Sequence, residues 1–133
     1  MRLCIDTNAY RSVTEGDPFC VSAIQMAGTL AFSPIVLGEL RAGFKFGKQE
    51  TRNEDTLQSA LARKRVITLE INSSTSIIYA SIWAELKKKG RPIPTNDMWI
   101  AAQCVEYDLV LLTKDAHFQD VSGLKLFGRG LTG

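Results

Sequence analysis

Histidine is almost missing from this chain of 133 residues: His117 is the only one, and cysteine occurs three times, at Cys4, Cys20 and Cys104. The cysteines are odd in number and stand in no CxxC or Cys/His spacing. That argues against a zinc site and for buried free thiols in a reducing compartment. No apolar run approaches the length of a membrane span, and Arg2 and Asp6 fall where a signal peptide would need its apolar core. The expectation is a cytoplasmic protein without membrane contact. A large charge excess is also lacking, since 16 basic residues against 14 acidic ones leave a formal +2. A surplus that small proves no nucleic-acid partner, so any such partner must be argued from where the charges lie. Repeats, low-complexity tracts and linkers are absent as well. What remains is 45% hydrophobic and 23% charged, ordinary for a globular protein and sufficient for one core and one domain over residues 1–133.

Along the chain, apolar strand patterns alternate with helical ones. Leu3 to Ile5 reads as a short buried strand, followed by a helix over about Pro18 to Ala27. "TLAFS" is a second strand, and Pro34 then stands where proline is welcome, in the first turn of a helix. That helix, "PIVLGELRAGFKFG", and a second one over about Asn53 to Arg63 predict a projecting hairpin. "VITLEI" is a strand with alternating faces. Ser73 and Ser74 are positioned to cap a helix striped with Ile77, Ile78, Ile82 and Leu86, which the run Lys87–Lys89 closes with favourable charge. "PTNDMWIAAQCVEYD" is a further helix with Thr95 or Asn96 as its cap. "LVLLT" has the unbroken apolar character of a strand buried on both faces, and "GLKLF" ends the pattern as a last strand. The order predicts an α/β fold, a three-layer α/β/α sandwich around a mostly parallel sheet.

In such sheets ligands bind beyond the carboxyl ends of the strands. Asp6 directly follows the first strand, and Asp115 follows "LVLLT" after Thr113 and Lys114. Asp97 lies in the first turn of its helix. Glu39 sits inside the apolar stretch "PIVLGEL", little more than a turn into a helix that starts at the same rim. Each acid alone has a structural explanation: a helix cap or Asx turn for Asp6, a dipole complement for Asp97, a loop former for Asp115, a solvated position for Glu39. Together they predict four carboxylates converging on one edge, which is costly unless a cation neutralises them. Oxygen donors without Cys or His suit Mg²⁺ or Mn²⁺, and the matching chemistry is metal-assisted attack of water on a phosphodiester. Two other α/β classes fit poorly. A haloacid-dehalogenase-type phosphatase needs a second aspartate where Asn8 stands, and a receiver domain needs its aspartate at the end of the third strand.

The motifs "IDTNAY", "LGELRAG", "PTNDMWIAA" and "LLTKDAHF", in this order and spacing, resemble the PIN-domain proteins, and more closely the VapC-type ribonuclease toxins of bacterial toxin–antitoxin modules. The resemblance spans essentially the whole chain. It implies that Asp6, Asp97 and Glu39 bind a divalent metal, with Asp115 as a more variable fourth acid. It further implies an RNA substrate, a cognate antitoxin partner and a homodimer. Asn8, Asn96 and Thr113 are expected to orient the carboxylates by hydrogen bonds. His117 is placed in a surface turn, with no general-base role required of it. A PIN fold that binds nucleic acid or protein without cutting is the alternative, and loss of an acid would have signalled it.

Basic residues cluster on the predicted hairpin, at Arg41, Lys45, Lys48 and Arg52, then at 63–65 and 87–91. Because Glu39 brings the hairpin's first helix to the rim, Arg41 and Lys45 are expected to meet RNA phosphates. Phe44, Phe46, Leu57 and Leu61 either pack the hairpin together or line a groove for an antitoxin's amphipathic helix.

Overall fold

The computed structural model describes residues 1–128. Its elements are β1 (Arg2–Ile5), α1 (Thr7–Thr14), α2 (Pro18–Met26), β2 (Thr29–Phe32), α3 (Pro34–Phe46), α4 (Glu50–Leu61), β3 (Val66–Thr68), α5 (Ser73–Lys89), α6 (Thr95–Glu106), β4 (Val110–Leu112) and β5 (Lys125–Leu126). A 3₁₀ turn at Ala116–Asp120 links the last two strands. The five strands form one sheet in the order β3-β2-β1-β4-β5, and every pairing is parallel. Leu3, Cys4 and Ile5 are all buried although neighbouring strand residues point to opposite faces, so helices cover both sides of the sheet. The core holds Leu3, Ile5, Phe32, Leu40, Leu57, Ile100, Leu111 and Phe118, and the three cysteines lie within it as free thiols.

Strand β1 runs through the middle of the sheet, with Leu3 opposite Leu30 on one side and Val110 on the other. The ladder extends one step past it, as the Asp6 N–H donates to the Leu112 carbonyl at 3.2 Å. Strand order reverses around β1, the topology at which a crevice opens above a parallel sheet. The carboxyl ends of β1 and β4 flank that crevice.

Several boundaries differ from expectation for local reasons. Helix α1 was not anticipated: its sequence, "TNAYRSVT", lacks a long apolar stripe and buries only Ala9 and Tyr10. Asn72, rather than Ser73 or Ser74, caps α5, through a reciprocal capping box with Thr75. Pro94 occupies the cap position of α6 with no side-chain cap bond, which leaves Asn96 free to point elsewhere. The strand expected over "VITLEI" shrinks to three residues at the sheet edge. Helix α4 starts at Glu50, one turn earlier than its pattern suggested. Among the described residues no helix is long and apolar enough to cross a membrane.

Candidate active site

Asp6 leaves β1 in an extended conformation and becomes the N-cap of α1, its Oδ1 accepting the Ala9 N–H at 2.8 Å. Its other oxygen accepts the Thr113 hydroxyl from the end of β4. The residue is only 3% exposed, a severe environment for an ionised group. Burial pushes the Asp6 carboxyl up to about 6, against the lowering effect of the Thr113 and Ala9 bonds, and the charges of Asp115 and Asp97 push the same way as burial.

Glu39 reaches the crevice because Ser33 caps α3 and Pro34 fixes its first turn just beyond β2. Its Oε1 accepts the Thr7 hydroxyl at 2.6 Å, and its Oε2 accepts from Asn96 Nδ2 at 3.4 Å. Asp97 enters from the first turn of α6, where His117 Nε2 lies 2.9 Å from its Oδ2. Burial raises the Asp97 carboxyl, His117 opposes the shift, and Glu39 and Asp115 reinforce it. Asp115 begins the 3₁₀ turn, its N–H donating to Thr113 Oγ1 at 3.0 Å. One hydroxyl therefore ties the Asp115 backbone to the Asp6 side chain.

All four expected acids line one cavity of about 530 Å³, together with Thr7, Asn8, Arg11 and His117. Within it Asp97, Asp115 and His117 each offer a ligand atom inside 4.8 Å of the others, while Asp6 and Glu39 stand outside that tight group. Thr113 donates to Asp6 and Asn96 to Glu39. Asn8 does not touch a carboxylate; its Oδ1 accepts from Arg11 Nη1 at 3.2 Å.

The basic residues are arranged differently from expectation. Arg41 forks onto Glu54 of α4, with Nη2 3.0 Å from Oε2, and Lys45 pairs with Glu50 at 2.8 Å. Both cations hold the hairpin together and neither lines the acidic cavity. Arg11 stands beside the acids instead. Thr7, Arg11 and His117 are the residues that sequence missed. Thr7 and Arg11 belong to the unanticipated α1, and a helix starting at Asp6 would have flagged them one turn apart. His117 is turned back toward Asp97 by the 3₁₀ turn, which left no apolar periodicity to detect.

The donor set fits a hard divalent cation. It is dominated by carboxylate oxygens, two of them raised by burial, and among the described residues no lysine or arginine pairs with Asp6, Glu39, Asp97 or Asp115. Its single nitrogen donor, His117, is tolerated better by Mn²⁺ than by Mg²⁺.

A parallel sandwich with an acidic cavity past β1 and β4 defines a class of α/β proteins, and residues 3–124 match the PIN domain. Ribonuclease VapC1 of Haemophilus influenzae strain R2866 is 35% identical over 128 residues, covering 91% of this chain and 92% of that protein. Ribonuclease VapC2 of Rickettsia felis is 31% identical over 87 residues, 65% of this chain and 63% of that relative, so here the chain spans a little under two thirds of the protein it matches. In three dimensions a VapBC2 chain from Rickettsia felis, crystallised bound to a DNA fragment from its promoter, superposes with a TM-score of 0.83 at 25% identity. That superposition covers 95% of this chain and 97% of the other. The chain belongs to the PIN-domain family, among its VapC-type ribonucleases.

Proposed function

We propose that this protein is a divalent-metal-dependent endoribonuclease that hydrolyses phosphodiester bonds in RNA, acting as the toxin of a toxin–antitoxin pair. The observation that carries the proposal is the meeting of Asp6, Glu39, Asp97 and Asp115, from four separate elements, on one cavity wall. Asp6, Asp97, Glu39 and Asp115 would hold Mg²⁺ or Mn²⁺. A cation there supplies Lewis acidity, polarising a phosphodiester and making water a competent nucleophile at neutral pH.

The chain's own side chains prepare the place. Thr113 and the Ala9 N–H fix both oxygens of Asp6, so this carboxylate needs no reorganisation as charge develops nearby. Thr7 and Asn96 hold Glu39 from two directions, and His117 orients Asp97. Arg11 brings positive charge to the mouth of a cavity that would otherwise repel a polyanion. The likeness to the VapC1 ribonuclease over 92% of that protein supports RNA as the substrate class, and the VapBC likeness supports a cognate antitoxin as partner.

The test is cleavage of RNA by the purified protein in Mn²⁺ or Mg²⁺. Groups acting as one unit are strongly non-additive, so Asp6→Asn, Glu39→Gln and Asp97→Asn should each abolish cleavage almost as fully as the triple variant. Asp115→Asn should be milder, since an amide oxygen can still orient water. Cleavage that survives Asp6→Asn and Asp97→Asn, or that ignores chelator, refutes the proposal.

A further inference from the structure

Arg11 lines two cavities. One is the acidic cavity. The other, of about 580 Å³, lies between α1 and the α3–α4 hairpin and is walled by Tyr10, Gly43, Phe44, Gln49, Arg52 and Asn53. Because the arginine is shared, the two cavities adjoin at α1, the carboxylates on one side of it and the cleft between α1 and the hairpin on the other. Charge changes sign from one to the other. The acids gather at one end, whereas Arg11 and Arg52 stand at the junction and in the second cavity, and among the described residues neither forms an ion pair. The hairpin cations Arg41 and Lys45, by contrast, are already neutralised by Glu54 and Glu50.

Local sequence keeps the junction open. Gly43 of α3 faces the arginine so closely that a Cβ there would lie 3.1 Å from Arg11 Nη2. Any side chain at 43 would press on the guanidinium. Asn8, one turn earlier on α1, accepts a hydrogen bond from Arg11 Nη1 at 3.2 Å and holds it toward the cavities. An asparagine leaves the arginine's charge intact, where a carboxylate would have spent it.

We infer that this second cavity is an RNA subsite, in which Arg11 grips the phosphate next to the scissile one and Arg52 the following phosphate, while Gln49 and Asn53 face the intervening sugar and base. This rests on the ribonuclease proposal and deepens it by naming where the flanking strand runs. Single-stranded RNA suits the adjoining cavities because its backbone can follow a groove that a rigid duplex could not enter. Thr14, Gln49, Asn53 and Thr56 along the second cavity offer polar side-chain donors and acceptors. Affinity there comes chiefly from two phosphate contacts and is therefore salt-sensitive.

The experiment measures binding of a short fluorescein-labelled single-stranded RNA of mixed sequence by anisotropy over a range of salt concentrations. It uses the full chain and the variants Arg11→Gln, Arg52→Gln, the double variant and Lys64→Gln. Lys64 is exposed just before β3, at the amino end of the strands and so away from the rim where the acids gather, and serves as the control. Each arginine variant should weaken binding roughly three- to tenfold and lower the magnitude of the log affinity–log salt slope by about 0.7, with the two losses adding in the double variant. Lys64→Gln should change neither. Thermal unfolding with and without Mn²⁺ should give the parent's shift in all four variants, since none removes a carboxylate. If the parent binds and both arginine variants match Lys64→Gln, the subsite is overturned while the ribonuclease proposal stands, and the groove is left to a protein partner. If the parent binds no RNA, both fall together.

Discussion

Asp6 combines two roles that usually belong to different residues. As an N-cap it stabilises α1, and as a buried carboxylate beside two other acids it destabilises the metal-free fold. The consequence depends on pH. The folded state holds the Asp6 proton up to about 6, the unfolded chain releases it near the ordinary aspartate value, and so the native state binds more protons between the two. The contribution of this group to the stability of the metal-free protein is therefore greatest below that window and declines as pH rises through it, by roughly 1–3 kcal/mol. Asn caps a helix as well as Asp does and carries no charge. In chelator at neutral pH, Asp6→Asn should be as stable as the parent or more so, with a flatter profile between pH 4 and 6; denaturant unfolding across that range checks it. Mn²⁺ should raise the melting temperature of the parent by mass action and do so much less for Asp6→Asn. Parallel pH profiles for the two proteins would mean that the carboxylate is better solvated than its surroundings imply.

At the scale of elements, the hairpin shows which apolar residues pack and which do not. Leu57 is the buried residue of α4 and has no exposed surface, while Phe46 near the end of α3 is 97% exposed. Of the four residues expected either to pack the hairpin or to line a partner groove, Leu57 belongs to the core, Phe44 and Leu61 pack partly against it, and Phe46 faces solvent. Leu57→Ala should cost about 2–4 kcal/mol by leaving a cavity under α4, whereas Phe46→Ala should change stability by less than about 0.5 kcal/mol. The Arg41–Glu54 pair bridges the two helices at a partly exposed site, so Arg41→Ala should cost no more than about 1 kcal/mol. Urea unfolding of the three variants separates these magnitudes. Arg41→Ala should also leave the salt slope of RNA binding untouched, unlike Arg11→Gln.

For the whole molecule, membership of the VapC-type ribonucleases carries two expectations that no single side chain expresses. The protein should be a homodimer, so light scattering should give twice the 14.7 kDa chain mass, and a monomer mass at all working concentrations would refute this. Induced expression should halt growth of a bacterial host. Asp6→Asn should relieve the arrest, because it removes a carboxylate from the cavity without weakening the fold. Equal toxicity from parent and variant would trace the arrest to binding or aggregation instead of cleavage.

The alternation of strand and helix was legible without coordinates, because period-two and period-3.6 apolar patterns report burial directly. So were the four acids: Asp6 and Asp115 interrupt or follow continuous apolar strands, Asp97 opens a helix, and Glu39 breaks an otherwise apolar helical run. Any chain in which those strands lie parallel must bring the acids to one rim. The partners of each charge were not legible, since they depend on which helix faces turn toward one another. Helix α1 buries too few residues to leave a pattern, yet it supplies Thr7 to Glu39 and Arg11 to the cavity mouth. A 3₁₀ turn with no periodicity of its own swings His117 onto Asp97. Arg41 and Lys45 look available in one dimension and are claimed by α4 in three. Burial patterns are written residue by residue along a chain, whereas ion pairs and shared cavities exist only once helices pack across the sheet.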